Sequence, residues 1–307
     1  MTDFAGHLFP GLLLFFSGLY YAMLVSLAIL RGQRLLVSPL PPRDKRARGW
    51  LQKLPIEGLI KVAVCIPGMA GALFYPLGSN RLAIIDWEDP ERKFLYHNTW
   101  QHVTIYSFLL ISGLVDIVSQ SWLARQQVRL EQAALALAFQ GTALLLLSHT
   151  EGKNVLEARA HFLLVLPIML IAQVLTIELW LPDQPVLWVF KVWMLLLSGS
   201  WFVHLGSIIF LPITGHPWRA DKPGDVMFLT TFFCWHLILD ALLMAGVYGL
   251  CSLWQHRYPP QQGAKSTKYQ LCPTDPTTEE LKKLGWSAGL GSLKIRVQSC
   301  FRHLLAV

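Results

Sequence analysis

The chain has 307 residues, 53% of them hydrophobic and only 15% charged, against about a quarter charged in a soluble domain. Its formal net charge is +7, but the cations gather in one loop and the C-terminal segment, as topology-setting and lipid-facing residues do. A soluble globular enzyme and a nucleic-acid-binding protein are both disfavoured. At about 20 apolar residues per crossing, the length holds seven spans.

The first predicted span covers 8–30, nearly all Leu, Phe, Tyr, Ala and Val. The start, Met1 to His7, lacks the basic region of a signal peptide, so this run is expected to stay as a span. Arg31 and Arg34 follow, then a linker with Arg43, Lys45, Arg46 and Arg48 against Asp44 alone, broken by Pro39, Pro41 and Pro42. Such a basic, irregular linker reads as cytoplasmic. Span two, 57–77, carries Glu57 and Lys61 four apart, where they can pair on one helix face. The mixed-charge loop 78–98 reads as outside, and its Ile84-Ile85-Asp86-Trp87 stretch suits the membrane surface.

Span three covers 99–120, followed by a short inner loop with Arg125 and Arg129. Span four covers 133–148 and span five 158–181. The tight turn 182–185 makes spans five and six, 186–211, an antiparallel hairpin. Glu178 and Lys191 lie at similar distances from that turn and are expected to pair, because a lone charge there costs roughly 2–3 kcal/mol. Span seven covers 226–254. The remaining segment has eight Lys/Arg against three acids and is rich in Pro, Gly and Thr, so it reads as largely disordered. The expected architecture is all-α: a polytopic seven-transmembrane-helix bundle over 1–254, N-terminus outside, and a basic cytoplasmic tail over 255–307. Cys65, Cys234 and Cys251 fall in spans, Cys272 and Cys300 in the tail, so no disulfide framework is expected. Ser198, Gly199, Ser200, Gly246 and Gly249 read as helix-packing positions.

Ionisable residues inside spans are costly and therefore informative. His102, His149 and His161 fall near the outer ends of spans three, four and five, and His204 lies deeper in span six. With Glu151 and Glu157 they form a candidate polar pocket opening outward. Imidazole and carboxylate ligands suit zinc or a similar divalent metal, and plain interhelical hydrogen bonds account for the same placement. His236 and Asp240 share one face of span seven, where Asp240 would accept directly from His236, with Asp116 of span three in the same interior. A proton relay, a catalytic base and a structural hydrogen bond all fit that pair.

Several stretches carry a resemblance. They are Phe4-Ala-Gly-His7-Leu-Phe-Pro-Gly11, Trp100-Gln-His102-Val-Thr-Ile-Tyr106, Ser112-Gly-Leu-Val-Asp116, Gly199-Ser-Trp-Phe202, Pro217-Trp218 and Met227-Phe-Leu-Thr-Thr-Phe-Phe-Cys-Trp-His236. In order and spacing they resemble the transmembrane protein 45 family, and its epididymal branch in particular, over most of residues 4–254. The resemblance implies a multi-pass membrane protein and no defined reaction. In that family's pattern span four carries an acid near its middle and ends in a His-x-His pair. Here the matching positions are Thr142, then His149 and Glu151. Leu156-Glu157-Ala-Arg-Ala-His161 matches the family's Leu-Asp-x-x-x-His stretch.

Three functions fit these residues. The favoured one is a binding, adaptor or trafficking-related membrane protein with an outward polar pocket, no catalytic residue, no cofactor, and the lipid bilayer and membrane proteins as partners. The second is a membrane-embedded hydrolase, whose His/Asp residues would hold a zinc that activates water. The third is a transporter or channel, against which no inverted repeat is found. The plasma membrane and the secretory pathway both suit the pattern.

Overall fold

A computed structural model describes residues 4–32, 54–212 and 215–258. Each predicted span is a helix: α1 (Phe4–Leu30), α2 (Ile56–Phe74), α3 (His97–Ile117), α4 (Val128–Ser148), α5 (Val155–Glu178), α6 (Pro185–Phe210) and α7 (Pro223–Arg257). Among the described residues these seven are long and apolar enough to cross a membrane. Helices are the form in which a continuous apolar run satisfies its own backbone without water. The local signals agree: Asn154 caps α5 by accepting from the Glu157 N–H at 2.8 Å, and Pro185 and Pro223 open α6 and α7, where a missing N–H costs no helix bond. The bulk of the basic linker, 33–53, and the predicted tail from 259 onward lie outside the described residues.

The fourth helix starts earlier than its apolar run predicts, at Val128 instead of 133. Glu131 is the reason. It is buried and accepts from Gln120 and Gln126 at 3.2 and 3.1 Å, so its partners hold a polar first turn inside the bundle. Gln120 lies in a π-turn, Val118–Trp122, that ends the third span.

The helices pack in the order α2, α3, α4, α5, α6, α1, with α7 against α6, α1 and α5. Successive neighbours are antiparallel. One end of the bundle therefore collects the starts of α1, α3, α5 and α7 and the ends of α2, α4 and α6; it is called the histidine end below. The α5–α6 hairpin is the centre. Trp201, Leu196, Leu197 and Leu205 of α6 and Leu164 and Ile171 of α5 are fully enclosed. A second apolar cluster joins Ala22 and Val25 of α1 to Trp188, Val192 and Leu196 of α6.

Small residues set the closest approach, as in membrane bundles generally. A Cβ on Gly199 would run into the Phe15 backbone nitrogen, so α1 and α6 touch backbone to backbone there. Gly246 and Gly249 do not share this role: open space surrounds both. Periodicity alone does not separate the two cases.

The opposite end holds the ion pairs whose acids are buried. Lys191 reaches Glu178 across the hairpin at 2.5 Å, with Glu178 almost wholly enclosed, as their distance from the turn predicts. Lys61 does not pair with Glu57 on its own helix. It donates to Asp116 at 2.7 Å and to Ser112 at 3.1 Å on α3.

Two outcomes test this packing. Gly199→Leu should lower stability in detergent by about 2 kcal/mol or more through overpacking, whereas Gly246→Leu should leave the melting temperature nearly unchanged; equal melting losses would contradict the assigned contacts. Glu178→Gln should cost roughly 3 kcal/mol by leaving Lys191 unpaired, and adding Lys191→Met should recover most of it, as a double-mutant cycle on thermal unfolding will read.

Candidate functional site

Four imidazoles from four helices meet at the histidine end. His102 of α3 and His149, just past α4, have ring centroids 5.1 Å apart. His149 and His161 of α5 are 5.4 Å apart, and His161 and His7 of α1 are 5.8 Å apart. All three contacts are edge to face. Each residue arrives for a local reason: His161 sits nearly two turns inside the Asn154-capped start of α5, His102 between one and two turns inside α3, and His149 where α4 ends. His161 and His7 are buried.

The tautomers follow from the partners. His102 Nδ1 lies 2.7 Å from the Asn98 carbonyl oxygen, and His161 Nδ1 lies 2.7 Å from that of Glu157. A carbonyl only accepts, so both Nδ1 atoms carry the proton. His149 Nδ1 lies 2.7 Å from Gln101 Oε1, and the same amide's nitrogen donates to Ser148 Oγ at 3.0 Å, so the amide oxygen accepts here too. Three rings thus commit Nδ1–H to fixed acceptors and keep Nε2 as a lone-pair acceptor. Among the described residues no three His, Cys, Asp or Glu side chains already converge as metal ligands.

The acids expected beside them contribute less. Glu151 is exposed in the α4–α5 turn. Glu157 serves the cluster with its backbone, and its carboxylate faces Lys153 at 3.9 Å. Lys153 and Arg159 line shallow hollows at the rim. In the α6–α7 loop, Trp218 packs edge-on against Phe232 of α7. Hydrogen bonds from Arg219 hold the exposed Asp221 carboxyl below the ordinary carboxylate value.

His204 does not join the four. Its position on α6 faces α7, and the Trp201 indole, tied to the Ala160 carbonyl at 3.0 Å, stands against it. Instead His204 Nδ1 lies 2.8 Å from His236 Nε2. The direct His236–Asp240 bond expected from their spacing is also replaced. Ser200 stands between them, 2.9 Å from His236 Nδ1 and donating to Asp240 Oδ2 at 2.7 Å. Two i, i+4 pairs, Ser200/His204 on α6 and His236/Asp240 on α7, face each other across one antiparallel contact. Asp116 shares neither group, because its turn of α3 faces Lys61 of α2 at the opposite end.

Two members were not singled out from sequence as site residues, His7 and Ser200. Both lie in stretches that carry the family resemblance. His7 was open to the depth argument that placed the other histidines, and Ser200 sits one turn before His204.

Comparison with known proteins agrees with this picture of a multi-pass membrane protein. Residues 128–249, from α4 into α7, match a family of unknown function, DUF716. Transmembrane epididymal protein 1A of Mus musculus is 37% identical over 277 residues, 88% of each chain. Transmembrane epididymal protein 1 of Rattus norvegicus is 37% identical over 262 residues, 84% of each chain. Its namesake in Homo sapiens is 32% identical over 260 residues, 83% of this chain and 93% of that one. Identity at that level across nearly the whole bundle means that this chain belongs to the transmembrane epididymal protein family.

Proposed function

We propose that this protein is a membrane-embedded binding protein that takes a polar ligand at the imidazole cluster and has no catalytic step of its own. One observation carries the reading: His102, His149 and His161 all hold Nδ1–H on fixed acceptors, which leaves Nε2 of each neighbouring ring as an acceptor at one end of the bundle. Buried imidazoles need polar partners that lipid does not offer, and a ligand with hydrogen-bond donors supplies them. Membrane proteins are the natural partners of such a receptor-like or adaptor bundle, in keeping with the resemblance to the wider transmembrane protein 45 family.

The cluster faces away from the cytoplasm in this reading. α1 and α7 both finish at the end opposite the histidines, where Arg31 and Arg257 lie; in the sequence Arg34, Arg43, Lys45, Arg46 and Arg48 come next after α1, and seven further Lys/Arg come after Arg257. The positive-inside rule assigns that end to the cytoplasm. A divalent metal is the second reading, favoured by the same tautomers, since a ligating histidine characteristically gives its other N–H to a carbonyl. That reading leads towards a hydrolase only if the metal activates water.

Native mass spectrometry and elemental analysis of the purified protein should separate the readings. A co-purifying polar molecule lost on His161→Ala supports binding, and stoichiometric zinc lost on the same change supports the metal. Identical spectra for both proteins end the proposal. Tags at the two termini should differ in accessibility in intact cells, the N-terminal one being exposed; equal accessibility contradicts the orientation.

A further inference from the structure

The α6–α7 contact holds a second polar chain, independent of the imidazole cluster. From one end it runs His204, His236, Ser200, Asp240, with successive separations of 2.8, 2.9 and 2.7 Å. Asp240 is buried midway along α7, and Ser200 lies past the middle of α6. The surroundings are apolar and aromatic: Trp201 rests on both imidazoles at 5.6 and 5.7 Å, and Phe232 on His204 at 5.2 Å. On the α5 side Leu163 and Leu164 share one apolar cluster with Trp201, and on the α1 side Phe15 lies against Gly199, next to Ser200. Among the described residues, the titratable groups that act on His204, His236 and Asp240 are members of the chain itself.

Hydrogen-bond accounting fixes the direction of every link. An ionised Asp240 only accepts, so Ser200 Oγ–H donates to it; the Leu197 carbonyl is a more distant alternative at 3.3 Å. With its proton so engaged, Ser200 accepts from His236 Nδ1–H. His236 Nε2 then carries a lone pair and accepts from His204 Nδ1–H. His204 Nε2 is left as the acceptor at the end of the chain. In this state the chain carries one negative charge, with no cation beside it, at a depth where an isolated carboxylate is disfavoured.

We infer that these four residues form a proton-binding relay, in which Asp240 is loaded and unloaded through His204. A proton arriving at His204 Nε2 forms a new N–H bond there. The Nδ1 proton of His204 passes to His236 Nε2, and the Nδ1 proton of His236 passes to Ser200 Oγ. The hydroxyl proton of Ser200 passes to Asp240 Oδ2. One proton enters and one carboxyl becomes neutral. Every hydrogen bond survives with its direction reversed, and both histidines change from the Nδ1–H to the Nε2–H tautomer. No side chain has to move. His204 is one turn nearer the histidine end than Ser200, which makes it the entry point. The ligand of this second site is the proton.

Nuclear magnetic resonance on full-length protein in liposomes, labelled with 15N-histidine and 13C-aspartate, tests the inference. His204→Gln, His236→Gln and Asp240→Asn supply the assignments. As pH falls from about 9 to about 4, Asp240 should take up one proton, and both imidazoles should exchange tautomer over the same interval. Ser200→Ala should uncouple the imidazoles from the carboxyl, while Ser200→Thr, which keeps the hydroxyl, should preserve the coupling. A purely structural hydrogen-bond chain would show no tautomer exchange. The inference is overturned by unchanged tautomers across the range, by imidazolium formation in their place, or by coupling that survives Ser200→Ala. If Ser200→Ala does not fold, the wild-type exchange alone decides.

Discussion

Hydrocarbon offers no hydrogen bonds, so every polar side chain inside this bundle has to find its partner on another helix or on its own backbone. Most of the tertiary arrangement follows from that demand. Lys191 holds α6 to α5 through Glu178, Lys61 holds α2 to α3 through Asp116 and Ser112, and Ser200 with His236 holds α6 to α7. Gln140 donates to Thr176 between α4 and α5 at 2.9 Å. Apolar packing alone would not set these registers, because lipid tails compete for the same Leu and Phe surfaces.

The two ends of the bundle are chemically distinct. Within the bundle, the histidine end carries imidazoles on carbonyl and amide partners and keeps its ion pairs at the rim and in the loops, whereas the opposite end holds Lys–carboxylate pairs whose acids are buried. Charged pairs close to an interface can snorkel toward water, which suits Lys61 and Lys191 near helix starts. Imidazoles are smaller and bind at either nitrogen, so they suit a site where a ligand or a proton replaces a partner. The α6–α7 chain differs from both in being a continuous linear hydrogen-bond sequence with a single acid at one terminus. Trp201 separates it from the imidazole cluster while bracing α5 against α6 through the Ala160 carbonyl. One indole therefore stands between the cluster, built on α1, α3, α5 and the end of α4, and the chain built on α6 and α7.

The similarity to the transmembrane epididymal proteins extends over 88% of the chain for the mouse protein, and the matched DUF716 region includes Ser200, His204, His236 and Asp240. The imidazole cluster draws also on α1 and α3, which lie before that region.

The sequence by itself determined the number of spans, their alternating direction and hence which residues share a depth. Apolar run length and short turns are local properties, so the Glu178–Lys191 pair and the common level of His102, His149 and His161 were legible. Helix order and rotation are not local. They depend on which faces approach most closely, as Gly199 against Phe15 shows, and single-chain periodicity does not reveal that in a span apolar on every side. So only the tertiary structure decided that His204 turns toward α7, that Lys61 leaves Glu57 for Asp116, that His7 completes the cluster, and that Ser200 stands between His236 and Asp240. The physical reason is one and the same: a side chain's partner is chosen by the neighbouring helix face, and that face is set by the packing of the whole bundle.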